Sequence, residues 1–213
     1  MRQNAMFLLF AAVLSFFSAC QSGDGSVLIR TSEGDITVQL FDETPLHKEN
    51  FLKLANEGFY EGTLFHRVIS NFMIQGGDPQ SKGAAPGVML GSGGPGYLID
   101  AEIGQPHLRG ALAAARTGNP QKRSSGSQFY IVTGEQQSDA TLDQYERMKN
   151  IKYNEAQREA YKKEGGRPDL DQKYTVFGQV TSGMDVVDRI ANVAKGRGDR
   201  PTKDVVIEEV VVQ

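Results

Sequence analysis

From Val27 onward the chain alternates apolar and polar positions in short runs broken by turn residues. Val27-Leu28-Ile29-Arg30-Thr31, a Ser-Glu-Gly turn and Asp35-Ile36-Thr37-Val38-Gln39-Leu40 read as an opening hairpin. Residues two apart on a strand share a face, so Ile36, Val38 and Leu40 point one way. Pro45 then starts a helix, with Thr44 as its expected N-cap and Phe51, Leu54 and Ala55 as its buried stripe, and Gly58 ends it. Phe65–Ile69 and Phe72–Gln75 are enriched in aromatic and β-branched residues and flank the turn-prone Ser70-Asn71 pair, which predicts a second hairpin. Residues 81–96 are glycine-rich and read as loop. Tyr97–Ile103 and Leu108–Ala115 are the next strand candidates. Val186–Val193 is a second short helix with Asp185 as its candidate cap, and Val205–Val212 is a closing strand. Many strands and two short helices predict an antiparallel barrel.

The second hairpin carries the chain's most specific chemistry. If it pivots near Asn71, Arg67 lies opposite Gln75 with Met73 on the same face. A slip of one residue would separate them. This places one arginine among apolar side chains beside one amide, with no acid, base, nucleophile or metal-ligand set. A lone cation in an apolar cleft suits chemistry without bond cleavage, such as rotation about a peptide bond before proline. Taken alone, Arg67 fits an exposed arginine on an ordinary amphipathic hairpin better.

The wider pattern is more specific. Phe65-His66-Arg67-Val68-Ile69 followed by Phe72-Met73-Ile74-Gln75-Gly76-Gly77-Asp78 resembles the cyclophilin-type peptidyl-prolyl isomerases. Three further matches follow in order: Gly110–Arg116, Gly126-Ser127-Gln128-Phe129-Tyr130-Ile131, and Leu170-Asp171 with Lys173–Val180. The resemblance runs from about Val27 to the last residue. It implies a closed eight-stranded antiparallel barrel with a helix at each open end. It implies prolyl isomerisation without a cofactor or metal, with Arg67 as the catalytic group and Phe72, Met73, Gln75, Ala115, Arg116, Gln128, Tyr130, Leu170 and Tyr174 as the substrate-binding set. Phe72, Met73, Tyr130 and Leu170 would grip the proline ring, small Ala115 would admit a peptide backbone, Gln128 would bond it, and Gln75 would hold the Arg67 fork. Four positions depart from the best-known pattern. Arg116 replaces asparagine, Tyr174 replaces histidine, Tyr130 replaces phenylalanine, and Asp169 replaces a tryptophan wall, which weakens the expectation of tight cyclosporin binding. The alternative function is a proline-recognising scaffold or chaperone module with little turnover.

One segment is added to the compact family pattern. Residues 134–168 carry a possible capping box at Thr141–Gln144, apolar Leu142, Tyr145 and Met148 at helical spacing, and a second amphipathic stretch with Ala156, Ala160 and Tyr161 before Gly165-Gly166. The expectation is a helical insertion packed on the barrel as an appendage. The sharper reading is a lid or partner surface beside the pocket.

Ahead of the domain, Arg2, the apolar run Met6–Ala19 and Phe17-Ser18-Ala19-Cys20 read as a signal peptide over residues 1–20 that resembles a bacterial lipobox. The run is too short to span a bilayer as a helix. Cys20, the chain's single cysteine, would be lipidated, and residues 21–26 would form a polar tether to a domain at 27–213. The expected location is the bacterial cell envelope, anchored by lipid and facing the periplasm, where the domain would assist folding of exported proteins. With 23 basic and 26 acidic residues the chain offers no bias toward nucleic acid, and a monomer is expected. His47, His66 and His107 are too scattered for a metal motif. Gly91-Ser92-Gly93 lacks the strand–helix setting of a nucleophile elbow or phosphate cradle.

Overall fold

The computed structural model describes residues 25–213, so the expected leader, Cys20 and most of the tether lie outside the described residues. Eight strands form one antiparallel sheet: β1 Ser26–Thr31, β2 Gly34–Leu40, β3 Arg67–Ile69, β4 Met73–Gly76, β5 Ala111–Ala114, β6 Phe129–Val132, β7 Val176–Ser182 and β8 Ile207–Val212. Their order is β3-β4-β6-β5-β7-β2-β1-β8. The expected closed barrel is corrected to an open half-barrel, because β3 and β8 share no ladder. The chain before β3 spans the seam instead. Leu64 bridges Val206, the Phe65 amide donates to Val205 O at 2.9 Å, and the Ile207 amide donates to Thr63 O at 2.8 Å. Those residues are committed to the β8 side, so β3 begins at Arg67 and not at Phe65.

The expected strand at Tyr97–Ile103 is absent. Only an isolated bridge from Ile99 to Ser124 forms there. Leu108–Ala115 shortens to β5, with Leu108 bridging Gly166.

Helix α1 (Pro45–Asn56) buries His47, Phe51, Leu54 and Ala55, adding a histidine to the predicted stripe. Phe51 meets Phe129 edge-on at 5.6 Å and Tyr60 at 5.0 Å, the aromatic centre of the inner core. Thr44 makes no side-chain cap. The Glu102 carboxylate accepts from the Leu46 and His47 amides at 3.1 and 3.0 Å and from the His47 ring at 2.6 Å, so the orphan donors of the first turn are satisfied from a distant loop.

The helix expected at Val186–Val193 is observed as α4 (Met184–Ala191), which buries Val186, Val187, Ile190 and Ala191. Its cap position is Gly183 at φ 88°, not Asp185, which pairs with Arg189 one turn on. A side chain at Gly183 would strike Asp35 O at 2.3 Å, so only glycine fits.

The insertion contains two helices, α2 (Asp139–Lys149) and α3 (Glu155–Lys163). Ser138, not Thr141, caps α2, and the capping box sits on α3 as Asn154 with Gln157. Leu142 and Tyr161 are buried as expected, while Met148 and Ala156 are exposed. Glu146 takes the buried place on α2, accepting from the Tyr153 amide at 3.0 Å and from Lys152 at 2.7 Å.

Two buried histidines make the fold sensitive to acid. Burial lowers the pKa of His47 below its ordinary value despite the opposing pull of Glu102. Burial likewise lowers that of His66, whose ring nitrogens have no hydrogen-bond partner although the Leu64 backbone lies nearby. For both, the unfolded chain takes up the proton first. Their contribution is therefore complete above the unfolded pKa of about 6.5 and is lost as pH falls below it. Urea midpoints should fall between neutral pH and about pH 5, and His66→Leu should flatten that fall by up to about 1.4 kcal/mol per pH unit, the share of one proton. Parallel pH profiles for the variant and wild type would show that His66 does not titrate on unfolding.

Candidate functional site

The sheet's period of two separates two apolar clusters. Val68, Ile74, Leu112, Ala114, Phe129 and Ile131 face the inner core. Their strand neighbours Met73, Ala111, Ala113, Tyr130 and Val132 face the other way, with Leu170, Ala115 and Val176 and, at the edge, Phe72 and Tyr174. The site is built on this second face. The β3–β4 hairpin pivots at Asn71 (φ 58°) and pairs Arg67 with Gln75. Gln75 pairs with Tyr130 on β6, and Tyr130 with Ala113 on β5. One transverse row across four strands therefore reads Arg67, Gln75, Tyr130, Ala113. After β4 the chain turns at Gly77 (φ 81°). A Cβ there would lie 2.3 Å from Ser127 O, so glycine is required for the segment leading through Gln128 into β6 to pass this close.

Nine of the ten candidate residues line one cleft of about 130 Å³: Arg67, Phe72, Met73, Gln75, Ala115, Arg116, Tyr130, Leu170 and Tyr174. Gln128 stands just outside it. Its side chain accepts from Gln75 at 3.0 Å, donates to Gly93 O at 2.7 Å, and borders a second cleft of about 440 Å³ among the glycines of the 91–96 loop. Gln75 is thus tied to Gln128, and does not hold the Arg67 fork as expected. The carboxylate facing Arg67 belongs to Asp199, which lies 3.7 Å from Nε, and the Phe72 ring lies 5.8 Å from the guanidinium. Arg67 is 39% exposed, so its remaining N–H groups are open to a ligand.

Arg116 closes the far side. Its Nε donates to Lys173 O at 2.9 Å and its guanidinium lies 4.9 Å over the Tyr174 ring. Asp169 does not leave a gap. It holds Arg167 through two hydrogen bonds, Nε at 2.7 Å and Nη2 at 3.0 Å, and Arg167 stacks 4.2 Å over Phe72. Burial would raise the Asp169 pKa, but Arg167 outweighs it and holds the carboxyl below its usual range.

The insertion reaches this site through Lys149, Tyr153 and Asp171 contacts that sequence reasoning did not single out, and through Tyr161, which it placed only on a packing face. Lys149, at the end of α2, donates to Asp169 O at 3.0 Å and Asp171 O at 2.6 Å, fixing the short 3-10 turn Pro168–Leu170 whose leucine walls the cleft. Tyr153 and Tyr161 both donate to Asp171 Oδ2, at 2.6 and 2.7 Å. Asp171 Oδ1 bonds His107 Nδ1 at 2.8 Å, and His107 Nε2 lies 3.0 Å from the Tyr130 hydroxyl. Burial pushes the Tyr130 pKa well up, so the phenol keeps its proton, and its hydroxyl and His107 Nε2 share one hydrogen bond. An unbroken buried chain therefore runs from α3 to the wall of the cleft. It corrects the appendage expectation. The sequence signal was two tyrosines, Tyr153 and Tyr161, at the margins of otherwise polar helices.

Comparison with known proteins bears on the family and the fold. The sequence profile of the family described as cyclophilin type peptidyl-prolyl cis-trans isomerase/CLD matches residues 26–212. A protein of Staphylococcus aureus (strain USA300) named "putative peptidyl-prolyl cis-trans isomerase" is 37% identical over 194 residues, 91% of this chain and 94% of its own length. A Staphylococcus epidermidis protein of the same name is 38% identical over the same span. Among solved structures, a cyclophilin type peptidyl-prolyl cis-trans isomerase of Cryptosporidium parvum superposes with a TM-score of 0.64 at 27% identity, covering 89% of this chain and 97% of that one. A structure of that protein in the presence of the dipeptide Ala-Pro gives 0.63 at 26% identity, covering 88% and 98%.

Replacing Tyr153 and Tyr161 together by phenylalanine leaves a buried carboxylate oxygen without donors. Each bond to a charged group is worth about 1.5–3 kcal/mol, so the double variant should lose at least about 2 kcal/mol in urea unfolding. The resonances of the Tyr130 ring should also shift. An unchanged midpoint would mean that the two hydroxyls contribute nothing to holding Asp171.

Proposed function

Since this chain belongs to the cyclophilin-type peptidyl-prolyl cis-trans isomerases, we infer that its rotation of Xaa-Pro bonds is driven by Arg67 at the cleft bounded by Phe72, Met73 and Leu170. The observation that carries this reading is the transverse row, which sets a guanidinium and an amide on the rim of an apolar slot.

The barrier to rotation is ~18–20 kcal/mol, the amide resonance lost on twisting. In the twisted bond the proline nitrogen becomes pyramidal and carries a basic lone pair. A guanidinium donor aimed at that nitrogen binds the twisted state better than the planar one, which is the condition for catalysis. Arginine suits this task because it stays charged and presents a rigid fork. The slot grips the pyrrolidine ring through Phe72, Met73, Tyr130 and Leu170. Gln128 and Gln75 offer donors and acceptors to the peptide on either side, and Ala115 leaves room for its backbone. Substrates are proline-containing polypeptides, a reading supported by analogy with the Cryptosporidium relative, whose structure was obtained in the presence of Ala-Pro.

The same reading extends to the cell. The charge at Arg2, the apolar run and the Phe-Ser-Ala-Cys sequence support export, lipidation at Cys20 and a tether over 21–26, with the domain at the cell envelope assisting folding of exported proteins.

Arg67→Ala should raise the barrier by more than about 2 kcal/mol, as for other preorganised donors, with the circular dichroism spectrum unchanged. A cis-to-trans peptide assay on the purified domain measures this. Undiminished turnover in the alanine variant would remove Arg67 from the mechanism, and absent turnover in wild type would favour the scaffold alternative.

Mass spectrometry of the membrane fraction should find an acylated N-terminal Cys20. A soluble protein cleaved beyond Cys20 would refute the anchor.

A further inference from the structure

A third cleft, of about 310 Å³, adjoins the proline slot on the side away from Leu170. Arg67, Gln75 and Arg116 line both, so the two are separated only by the catalytic rim. Arg197 and Arg200 complete a cationic wall, and exposed Val88 and Met89 supply an apolar one.

The charges are unevenly spent. Arg200 is buried and committed, donating to Ala84 O and Ala85 O at 2.9 Å and to Asp204 at 3.0 Å. Asp199 lies near Arg67 at 3.7 Å. Among the described residues neither Arg116 nor Arg197 has a carboxylate partner, although the chain as a whole is acidic, with net charge -3. The cleft therefore presents unpaired positive charge at the edge of the site on a molecule that would otherwise repel acidic peptides. His66 borders it with both ring nitrogens unpartnered, and burial keeps that ring neutral. The cleft's charge thus comes from its arginines.

We propose that this cleft is an acidic-residue subsite: an aspartate or glutamate within two residues of the proline places its carboxylate between Arg116 and Arg197 while the proline fills the adjoining slot. An extended chain advances about 3.3–3.6 Å per residue, so a neighbour of the proline one or two positions away overhangs the shared rim. Val88 and Met89 accommodate the methylenes of the acidic side chain, and the guanidinium forks match its carboxylate. The proposal rests on the isomerase reading of the slot and adds which polypeptides the slot prefers.

The test is a matched series of proline peptides carrying Glu, Gln or Lys at each position within two residues of the proline. Both kcat/KM and calorimetric affinity are measured on the purified domain. At one or more positions Glu should exceed Gln by about fivefold or more in both, with Lys below Gln. The difference should collapse in about 1 M salt, where charges are screened within about 3 Å. Arg197→Gln should remove at least half of the Glu advantage and leave the Gln peptides unchanged, which a merely structural role for Arg197 would not do. Equal values for Glu and Gln at every position, or a Glu advantage untouched by Arg197→Gln, overturns the subsite. If no peptide is turned over, the isomerase reading fails, and the affinity series alone decides the charge preference.

Discussion

Arg67 reaches the cleft because β3 and β4 are paired in one register. The turn at Asn71 (φ 58°) sets that register, and the row Arg67–Gln75–Tyr130–Ala113 follows across four strands. A shift of one residue in β3 would turn Val68 outward and drive Arg67 into an inner core of Phe65, Ile74, Phe129 and Ile131. Burying an unpaired guanidinium costs several kcal/mol, so the inner core itself enforces the register. Fold and site are therefore selected together: the residues that make the inner face strictly apolar are the alternate partners of those that make the outer face functional.

The outer face has a small apolar cluster, and much of its rigidity comes from polar groups. Tyr130 is fixed by stacking near Tyr174 and His107 and by a hydrogen-bonded chain through His107 and Asp171 to two tyrosines of the insertion. Each buried polar atom in that chain has a partner, the condition under which such a network stiffens a structure and does not weaken it. The insertion crosses the barrel where Gly134 and Gly166 meet. A Cβ on Gly134 would lie 2.5 Å from Gly166 Cα, so the two passes of chain are in backbone contact. That contact brings the helices of the insertion within hydrogen-bonding reach of the sheet's outer face.

The sequence made some of this legible and hid the rest for identifiable reasons. The β3–β4 hairpin, β1–β2, α1 and α4 could be read because period and turn residues are local signals. The ordered motifs from Phe65 to Val180 brought out nine residues that share one cleft. Helix capping misled at Thr44, Asp185 and Thr141. For α1 the true cap is Glu102, 56 residues from Leu46, and no local rule can see it. Tyr97–Ile103 has strand-like composition but only one bridge, from Ile99 to Ser124, and Ser124 lies outside the eight strands of the sheet. Barrel closure failed at three residues, Thr63, Phe65 and Ile207, whose amides and carbonyls span the seam without extending β3. Asp169, read as a missing wall, instead orients Arg167 over Phe72, a role that depends on a residue two positions away.

The electrostatics of Arg67 follow from what does not hold it. Had Gln75 bonded the guanidinium, one fork position would be occupied in the resting site. Gln75 bonds Gln128, and Asp199 stands at 3.7 Å, beyond a tight ion pair. A carboxylate in direct contact would neutralise the field at the proline nitrogen and would have to be displaced before the guanidinium could donate. At the observed separation it orients the side chain while leaving donors free, and a half-exposed surface pair of this kind contributes no more than about 1 kcal/mol to stability. The arrangement is one in which the cation is positioned by backbone register and by Phe72 rather than by saturation of its hydrogen bonds. Under the proposed mechanism its free donors are available where the charge distribution of the substrate changes, which is where stabilisation raises a rate.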